Sequence, residues 1–303
     1  MKSRVKWMLV AGVAAGGACA YIALNTRLGV HLVLDVLSEI GSPKERQTEA
    51  SEGPLRLTAT LAPIDKIQLP ASIEQPSGIK HRNEAVYIST DQTEIFKLDA
   101  NFQNGSERVY LLGGPLLFKQ GSLEGIEVRG DQLVGIGEFG SLPTWVEGGQ
   151  AEWTRGADIE LPSQTADVEF SGVVDTPSGR FATSEDQLAI FNLDDGSVHA
   201  IDFAGVLRES ADPSVLALSG IAHSTGRFYV LSESYTSVLV VDAATFKVQH
   251  VFGIEPCAAA DLSVYEGKCY VVIDHNYDEP VEPVHVYDLE AAVKAAEEDG
   301  QNA

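Results

Sequence analysis

The stretch LSGIAHSTGRFYVLSES, Leu218–Ser234, contains two short apolar runs joined by a glycine-containing turn. The first run begins with a small residue and a glycine, Ser219-Gly220, and the second ends directly before the carboxylate of Glu233. Short β-rich runs on either side of such a turn predict a β-hairpin. Because the same pattern recurs along the chain, this hairpin decides how the whole sequence is interpreted.

Four further segments repeat the opening motif of this hairpin. They are PSGI at Pro76–Ile79, LEGI at Leu123–Ile126, FSGV at Phe170–Val173 and a degenerate ADLS at Ala260–Ser263. With Leu262 taken as the third residue of the last motif, the spacings are 47, 47, 48 and 42 residues. Repeats of about 40–50 residues that contain several short strands are typical of β-propeller blades. The sequence therefore predicts an all-β, five-bladed β-propeller.

Closure of the ring can be predicted from the strands left over around the repeats. The fifth repeat supplies three strands, and DKIQLP, Asp65–Pro70, supplies the missing outer one, which removes an exposed edge. LRLTATLA, Leu55–Ala62, either pairs on the outside or helps to build a sixth blade. In the second blade the third strand is poorly defined, and ADIEL, Ala157–Leu161, is expected as the fourth. We place the propeller at residues 55–289 and an acidic C-terminal tail at residues 290–303.

An acidic residue follows the second strand of every repeat. Counted from the third motif residue, it comes 13 residues later in four blades and 12 residues later in the fifth. These returning acids are Asp91, Glu138, Glu185, Glu233 and Asp274. A hairpin of this length brings its first and last residues to the same face of the ring, which we call the motif face. The second residues of the motifs are expected there too, namely Ser77, Glu124, Ser171, Ser219 and Asp261.

Carboxylates and hydroxyls gathered at one face need a counter-charge, because neighbouring like charges oppose ionisation. A hard cation supplies it, and Ca²⁺ accepts about six to eight oxygen ligands in loose geometry. Glu124 and Asp261 are the first ligand candidates, because only these two motif positions carry a carboxylate, and Glu169 can substitute in the third blade. Of the returning acids, Glu138, Glu185, Glu233 and Asp274 are further candidates. Alternatively, they cap strand ends, bond backbone amides or face water.

One residue beside the returning acids suits a catalyst. His275 follows Asp274 at the end of the fifth hairpin and can act as a general base next to bound calcium. Alternatively, it is a surface residue of a proline-rich loop. Trp145 and Tyr235, on loops after returning acids, either shape a ligand pocket or contribute to packing. The chain contains no nucleophile elbow, HExxH motif, CxxC pair or P-loop.

The overall charge limits the partners of the protein. The 303 residues carry a formal net charge of −23, which repels nucleic acid and anionic lipid and attracts divalent cations, or serves solubility alone. We therefore expect no nucleic-acid partner. Three cysteines are too few for a disulfide framework. Cys257 and Cys269 can pair in an oxidising compartment, but a hairpin turn at Glu266-Gly267 places Cys269 opposite Val264 and away from Cys257.

The N-terminus has the features of a membrane anchor. Basic residues precede Trp7–Leu24, which contains no charge over 18 residues, and Arg27 follows. We expect residues 1–27 to form a cytoplasmic stub and a single transmembrane helix in the inner membrane, with the propeller in the periplasm. A cleaved signal peptide, which would give a secreted domain, and a lipoprotein modified at Cys19 are the alternatives. Residues 28–54 are predicted as a short helix and a polar linker.

The order of SGI, LEGI, LSGI…GRFYVLSES…VLVVDAATFKV and IDHN resembles the SdiA-regulated, YjiK-like family over roughly Leu55 to Leu289. The resemblance implies a membrane-anchored periplasmic domain, a five-bladed propeller distantly related to NHL-type propellers, and a calcium site. The motif acids of that family map onto Glu124 and Asp261. This chain departs from the family at Ser171, where the family usually has Glu, and at Leu262, in place of Gly. The resemblance assigns no biochemical function.

We expect a calcium-binding propeller that acts as a binding or scaffold module, with a small-molecule or protein ligand at the motif face. The alternative is a calcium-dependent hydrolase of the lactonase or esterase type. An enzyme requires open coordination positions on the metal and a base such as His275. A scaffold requires a fully ligated metal and a surface patch for a partner.

Overall fold

Short β-strands account for almost all of the regular structure. The protein is described here by a computed structural model that covers residues 53–91, 94–102, 107–111, 123–137, 141–147, 153–163, 165, 168–209, 211–255, 257–274 and 283–301. These residues form five β-sheets of four antiparallel strands, one of which has an additional parallel strand at its edge. The sheets follow one another as the repeats predict, so the five-bladed β-propeller is confirmed.

The first described residues lie along the outside of the fourth and fifth blades and contribute two strands. Strand β1 (Ala59–Thr60) pairs in parallel with the outer strand of the fourth blade. Strand β2 (Asp65–Ile67) pairs with the last strand of the chain and completes the fifth blade, as predicted. The leftover segment before it therefore pairs on the outside, and the six-bladed alternative is wrong.

The five blades follow in chain order, and their strands are given from the axis outward. The first blade contains β3 (Pro76–Arg82), β4 (Ala85–Thr90), β5 (Glu94–Asp99) and β6 (Glu107–Leu111). The second contains β7 (Leu123–Arg129), β8 (Gln132–Gly137), β9 (Thr144–Glu147) and β10 (Trp153–Arg155). The third contains β11 (Gly172–Thr176), β12 (Gly179–Ser184), β13 (Gln187–Asn192) and β14 (Val198–Ala200). The fourth contains β15 (Leu218–Ser224), β16 (Arg227–Ser232), β17 (Ser237–Asp242) and β18 (Val248–Gly253). The fifth contains β19 (Ala259–Tyr265), β20 (Lys268–Ile273) and β21 (Val284–Tyr287), followed by β2.

The inner hairpins have tight turns that their sequences favour. Between β15 and β16, Thr225 and Gly226 have φ angles of 50° and 75°. Left-handed conformation at both central residues is that of a type I′ turn, whose twist matches the twist of the paired strands. The fifth hairpin turns in the same way at Glu266-Gly267. Hairpin length is therefore set locally, by the turn residues and the apolar runs that flank them.

The two cysteines of the described residues lie as predicted. Cys269 pairs with Val264 across the fifth hairpin. Cys257 is half-buried and Cys269 is fully buried, and both are free thiols. Burial raises the pKa of the Cys269 thiol to about 12, with a further contribution from Asp261.

The core consists of apolar layers between neighbouring blades. In β16, all four residues of Phe228–Leu231 are buried, because the sheet is covered on both faces by the adjacent blades. Strands covered on both sides have continuous apolar runs instead of an alternating pattern. Each fully buried side chain of this size contributes about 1.5–3 kcal/mol to folding. These layers supply the main driving force for assembly of the ring.

The second blade differs from the prediction in its outer half. Its fourth strand is β10, and the segment ADIEL, Ala157–Leu161, has no strand structure. Trp145, predicted on a loop, lies in β9 and is fully buried against Leu123 and Leu133. Trp145 therefore fills the core between the first and second blades.

The chain ends in a helix that packs on the propeller. Helix α1 (Leu289–Gln301) contributes Leu289 and Val293 to the apolar layer between the fourth and fifth blades. The predicted tail at residues 290–303 thus begins one residue late. No helix within the described ranges is long and apolar enough to cross a bilayer. The predicted anchor, Trp7–Leu24, lies outside these ranges, and so does the predicted helix and linker at residues 28–54 except for its last two residues.

Candidate functional site

The motif glycines allow the innermost strands to approach one another closely around the axis. A Cβ atom added to Gly78 would lie 3.2 Å from the Cα atom of Gly125. One added to Gly172 would lie 3.0 Å from the Cα atom of Gly220. A side chain at these positions would displace the backbone of the next blade, so glycine is required.

The fifth motif is aligned differently from the prediction. Asp261 pairs with β20 directly after a bulge that follows Ala259, and Gly220 has the same position in the ladder of the fourth blade. Asp261 therefore stands at the glycine position, and the assignment of that position to Leu262 is wrong. In this alignment the fifth returning acid also comes 13 residues later, since 274 − 261 = 13. The corresponding motif residue of the fifth blade is Ala260.

The Asp261 carboxylate is buried at the axis and joins the fifth blade to the first. Its Oδ2 accepts a hydrogen bond of 3.0 Å from the Ile79 N–H, and its Oδ1 accepts one of 2.7 Å from the Leu262 N–H. Burial raises the pKa of this carboxyl to about 7; Lys80 and the two N–H groups lower it, and Glu127 raises it further. Because both oxygens are bonded inside the fold, we leave Asp261 out of the metal site proposed below.

One buried lysine supplies positive charge to Asp261 and to a second carboxylate, Glu127. Lys80 Nζ lies 3.3 Å from Oε2 of Glu127, and both side chains are less than one tenth exposed. Glu127 Oε1 accepts a hydrogen bond of 2.7 Å from the Val128 N–H, and Oε2 accepts one of 2.9 Å from the Asp175 N–H in the third blade. Glu127 thus joins the second blade to the third as Asp261 joins the fifth to the first. We call Asp261, Lys80 and Glu127 the axial charge cluster.

Sequence reasoning missed Lys80 and Glu127, although a signal for both was present. Each follows its motif glycine by two residues, in SGIK and EGIE, and places a charge inside an otherwise apolar innermost strand. A charged residue is buried only when it is paired. The two strands are neighbours in the ring, so the opposite charges at equivalent positions could have been paired from the alignment of the repeats.

Two of the motif residues bond the next blade through their side chains. The Ser77 hydroxyl donates to the Leu123 carbonyl, and the Ser171 hydroxyl donates to the Leu218 carbonyl. The buried Ser219 hydroxyl has no hydrogen-bond partner among the described residues. Glu124, the first ligand candidate, is half-buried. The side chains of Ser77 and Ser171 therefore link adjacent innermost strands on the motif face.

The returning acids occupy equivalent positions on the motif face. In three blades the backbone N–H of the acid donates to the carbonyl of the residue three before the motif glycine position. The pairs are Asp91–Gln75, Glu233–Ala217 and Asp274–Ala258. Asp91, Glu233 and Asp274 are half-buried, and Glu185 is exposed. Glu138 and His275 lie outside the described residues. For the four described acids, the expected placement on one face is observed.

A metal cluster is not seen in the part of the chain that the structure describes. Within it, no group of three or more His, Cys, Asp or Glu side chains is arranged to hold a metal ion. Glu169 is exposed and lies two residues before Ser171. Tyr235 packs beside Gly53 against the core between the third and fourth blades, so it contributes to packing.

Comparisons with known proteins identify the fold. The sequence matches no family model and no curated protein sequence. Its structure is similar to that of Myxococcus xanthus glutaminyl cyclase, with a TM-score of 0.53 and 16% identity over 75% of this chain and 97% of that one. It is also similar to a PQQ-bound aldose sugar dehydrogenase from Streptomyces coelicolor, with a TM-score of 0.46 and 9% identity over 74% of this chain and 96% of that one. The first likeness supports the β-propeller fold, and at such identity it indicates the fold alone.

Proposed function

We propose that the protein is a β-propeller binding or scaffold module that holds a cationic partner at its motif face. The observation that carries the proposal is the separation of charge along the inner hairpins. At the motif face, the described turns after the second strands contain Asp91, Glu185, Asp186, Glu233 and Asp274 and no Lys or Arg. Glu74 and Glu169, just before innermost strands, add to this acidic face.

The opposite ends of the same hairpins carry basic residues, one in each blade. They are Arg82, Arg129, Arg180, Arg227 and Lys268. Some of these basic side chains contact neighbouring strands. Arg82 donates a hydrogen bond to the Val128 carbonyl, and Arg129 Nε lies 3.1 Å from Asp175 Oδ2. Acidic residues such as Glu84, Asp131 and Asp175 lie at the same ends, so the charges there nearly cancel. The described turns of the motif face carry acids alone, and the resulting field attracts positive partners to that face.

The axis itself supports a structural role. Both carboxylates of the axial charge cluster are bonded to backbone N–H groups of neighbouring blades. Side chains engaged in this way stabilise the ring and are not free to act on a substrate. This favours a binding module over the hydrolase alternative.

Location and kinship are parts of the same proposal. The uncharged stretch after a basic N-terminus supports an anchor in the inner membrane, with the propeller on the periplasmic side. The repeated SGI-type motifs support distant kinship with the SdiA-regulated, YjiK-like family. Release of the propeller by carbonate extraction of membranes would contradict the anchor.

The partner proposal is tested with a short oligolysine peptide as the probe. Two variants of the full chain remove two charges each, one pair on the motif face (Glu185→Gln with Glu233→Gln) and one pair on the opposite turns (Glu84→Gln with Asp131→Asn). We expect the first pair to weaken binding roughly three- to tenfold and the second to leave it nearly unchanged. Equal losses for the two pairs would show a diffuse charge effect and remove the proposal.

Calcium is the second candidate occupant of the motif face, favoured by the half-buried Glu124 and returning acids. A ligand that binds only the folded state raises the melting temperature by mass action. We expect calcium to raise the melting temperature of the full chain, and we expect Glu124→Gln to abolish this rise. The absence of a rise at millimolar calcium would remove both the metal and the calcium-dependent hydrolase.

A further inference from the structure

The seam between the fifth and first blades is where the ring closes. Its innermost strands, β19 and β3, lie at opposite ends of the propeller sequence. The Ile79 N–H donates to Asp261 Oδ2, and the His81 N–H donates to Ser263 Oγ; each hydrogen bond is 3.0 Å long. Two backbone amides on the axial edge of β3 therefore depend on side chains of β19.

The axial charge cluster at this seam contains two carboxylates and one ammonium group. Lys80 is 3.3 Å from Glu127 and also attracts Asp261. When both carboxylates are ionised, the buried cluster has one negative charge without a partner, and removal of such a charge from water is costly. A proton on one carboxyl cancels it. Glu127 has the direct contact with Lys80, so Asp261 is the group that takes the proton.

The elements packed around Asp261 present few other titratable groups to it. Strand β3 presents Lys80, β7 presents Glu127, and β20 presents the Cys269 thiol, whose raised pKa keeps it protonated near neutral pH. Strand β15 presents Gly220, where an added Cβ atom would lie 2.5 Å from Asp261 Oδ1. Strand β16 packs on β19 through apolar side chains such as Leu231. The charge state of the seam therefore depends on Asp261.

We propose that Asp261 is a proton-controlled clasp, which holds the seam between the fifth and first blades when protonated and favours opening of that seam when ionised. Opening exposes the carboxyl to water and removes the cost of burying its charge. The closed seam consequently binds the proton more tightly than the opened one. The seam then responds to the surrounding pH through this buried carboxyl.

The direction of the pH effect follows from the raised pKa of Asp261. Below the ordinary value of 3.8, the closed and opened states both hold the proton, so this group causes no pH dependence. Between 3.8 and about 7 only the closed state holds it, and stability falls as the pH rises. Above about 7 the loss is complete. The clasp therefore weakens from mildly acidic to mildly alkaline conditions.

The test compares urea unfolding of the full-length wild type and the Asp261→Asn variant at several pH values. Asparagine keeps the shape and an acceptor oxygen but carries no charge. We expect the unfolding constant of the wild type, divided by that of the variant, to rise about 100-fold between about pH 5 and about pH 8.5. A ratio that stays constant over this range overturns the clasp.

A matched control and a second readout keep the test decisive. Ser77→Ala removes the hydrogen bond from Ser77 to Leu123 at the seam between the first and second blades without removing a titratable group. The ratio of its unfolding constant to that of the wild type should therefore not vary with pH. If Asp261→Asn does not fold, hydrogen exchange of the wild type replaces it. We expect the Ile79 amide to lose protection with rising pH relative to the Asp175 amide, which Glu127 holds. Parallel behaviour of the two amides overturns the proposal, whatever the oligolysine experiment shows.

Discussion

Two seams of the propeller solve the same packing problem in different ways. Between the third and fourth blades, Gly172 lies against Gly220, and the Ser171 hydroxyl bonds the Leu218 carbonyl. Between the fifth and first blades, a carboxylate occupies the glycine position and bonds the Ile79 N–H instead. The first seam depends on shape, and the second depends on charge and protonation. A repeated fold therefore does not need repeated chemistry at its axis.

The seam between the fifth and first blades, which we call the charged seam, also contains a buried histidine. His81 packs against Tyr270 and Tyr265, with ring centroids 4.1 Å and 5.1 Å away. Neither ring nitrogen has a hydrogen-bond partner among the described residues. Burial, with a smaller effect of Lys80, lowers the pKa of His81 to about 3. This seam is therefore sensitive to acid at His81 and to alkali at Asp261. The seam between the third and fourth blades, which we call the neutral seam, has Gly172 at the position of Asp261 and so lacks the sensitivity to alkali. His223 stands there at the position of His81, and burial lowers its pKa as well.

The largest effect is expected from Lys80→Met, which removes the only cation of the axial charge cluster. Glu127 and Asp261 would then be buried without a counter-charge, and loss of one partner of a buried pair costs about 3–5 kcal/mol of unfolding free energy. Chemical unfolding near neutral pH measures the loss. Lys268→Met, at an exposed position, is the control and should change little. A loss below 1 kcal/mol for Lys80→Met would show that the cluster does not hold the charged seam.

The second effect concerns acid stability and His81→Phe. Because its pKa in the folded state lies below the ordinary 6.5, His81 binds a proton only after unfolding, and it destabilises the fold progressively as the pH falls from 6.5 to about 3. By linkage this amounts to about 3 kcal/mol at roughly pH 4. Phenylalanine removes the penalty and fits the aromatic cluster. We expect the variant to gain stability over wild type at acid pH; a gain of the same size near pH 8 would contradict the assignment.

The third effect breaks the neutral seam by shape alone. In Gly172→Ala the new methyl group would lie 2.9 Å from the Ile221 nitrogen and 3.0 Å from the Gly220 Cα. Overpacking of this kind costs about 1–3 kcal/mol. Gly300→Ala in α1 is the matched control, because nothing lies within 4 Å of the added atom. Thermal unfolding should separate the two variants, and similar melting temperatures would exclude steric limitation of the seam.

The smallest effect compares two equivalent serines. Ser171→Ala removes a bond to the Leu218 carbonyl and should cost about 1 kcal/mol. Ser219→Ala removes a buried hydroxyl without a described partner, so it should be neutral or slightly stabilising. The midpoints of urea unfolding of the two variants, measured in one buffer, test this order of stability. The reverse order of the two variants would indicate that the Ser219 hydroxyl has a partner in the folded protein.

Features confined to one hairpin were predictable from the sequence. The glycine-containing turns, the apolar strands and the constant distance to the returning acid are local, so the blade count and the pairing of Cys269 with Val264 followed from them. Closure by β2 also followed, because the last repeat lacked one strand. The second blade was less predictable. Its outer strands are short and interrupted, so the pattern could not place β9 and β10 or bury Trp145.

The repeat, the fold class and the face to which each hairpin returns follow from the amino-acid sequence alone, because they depend on strand periodicity and turn chemistry within about fifteen residues. The chemistry of the axis depends on contacts between blades. Asp261 differs from its predicted position by a single residue, and that shift moves its carboxylate from a predicted metal site to a bond with Ile79. The axial charge cluster brings Asp261 of the fifth blade together with Lys80 and Glu127 of the first two blades, which lie far earlier in the chain. Burial and contacts of this kind arise only when the ring is closed.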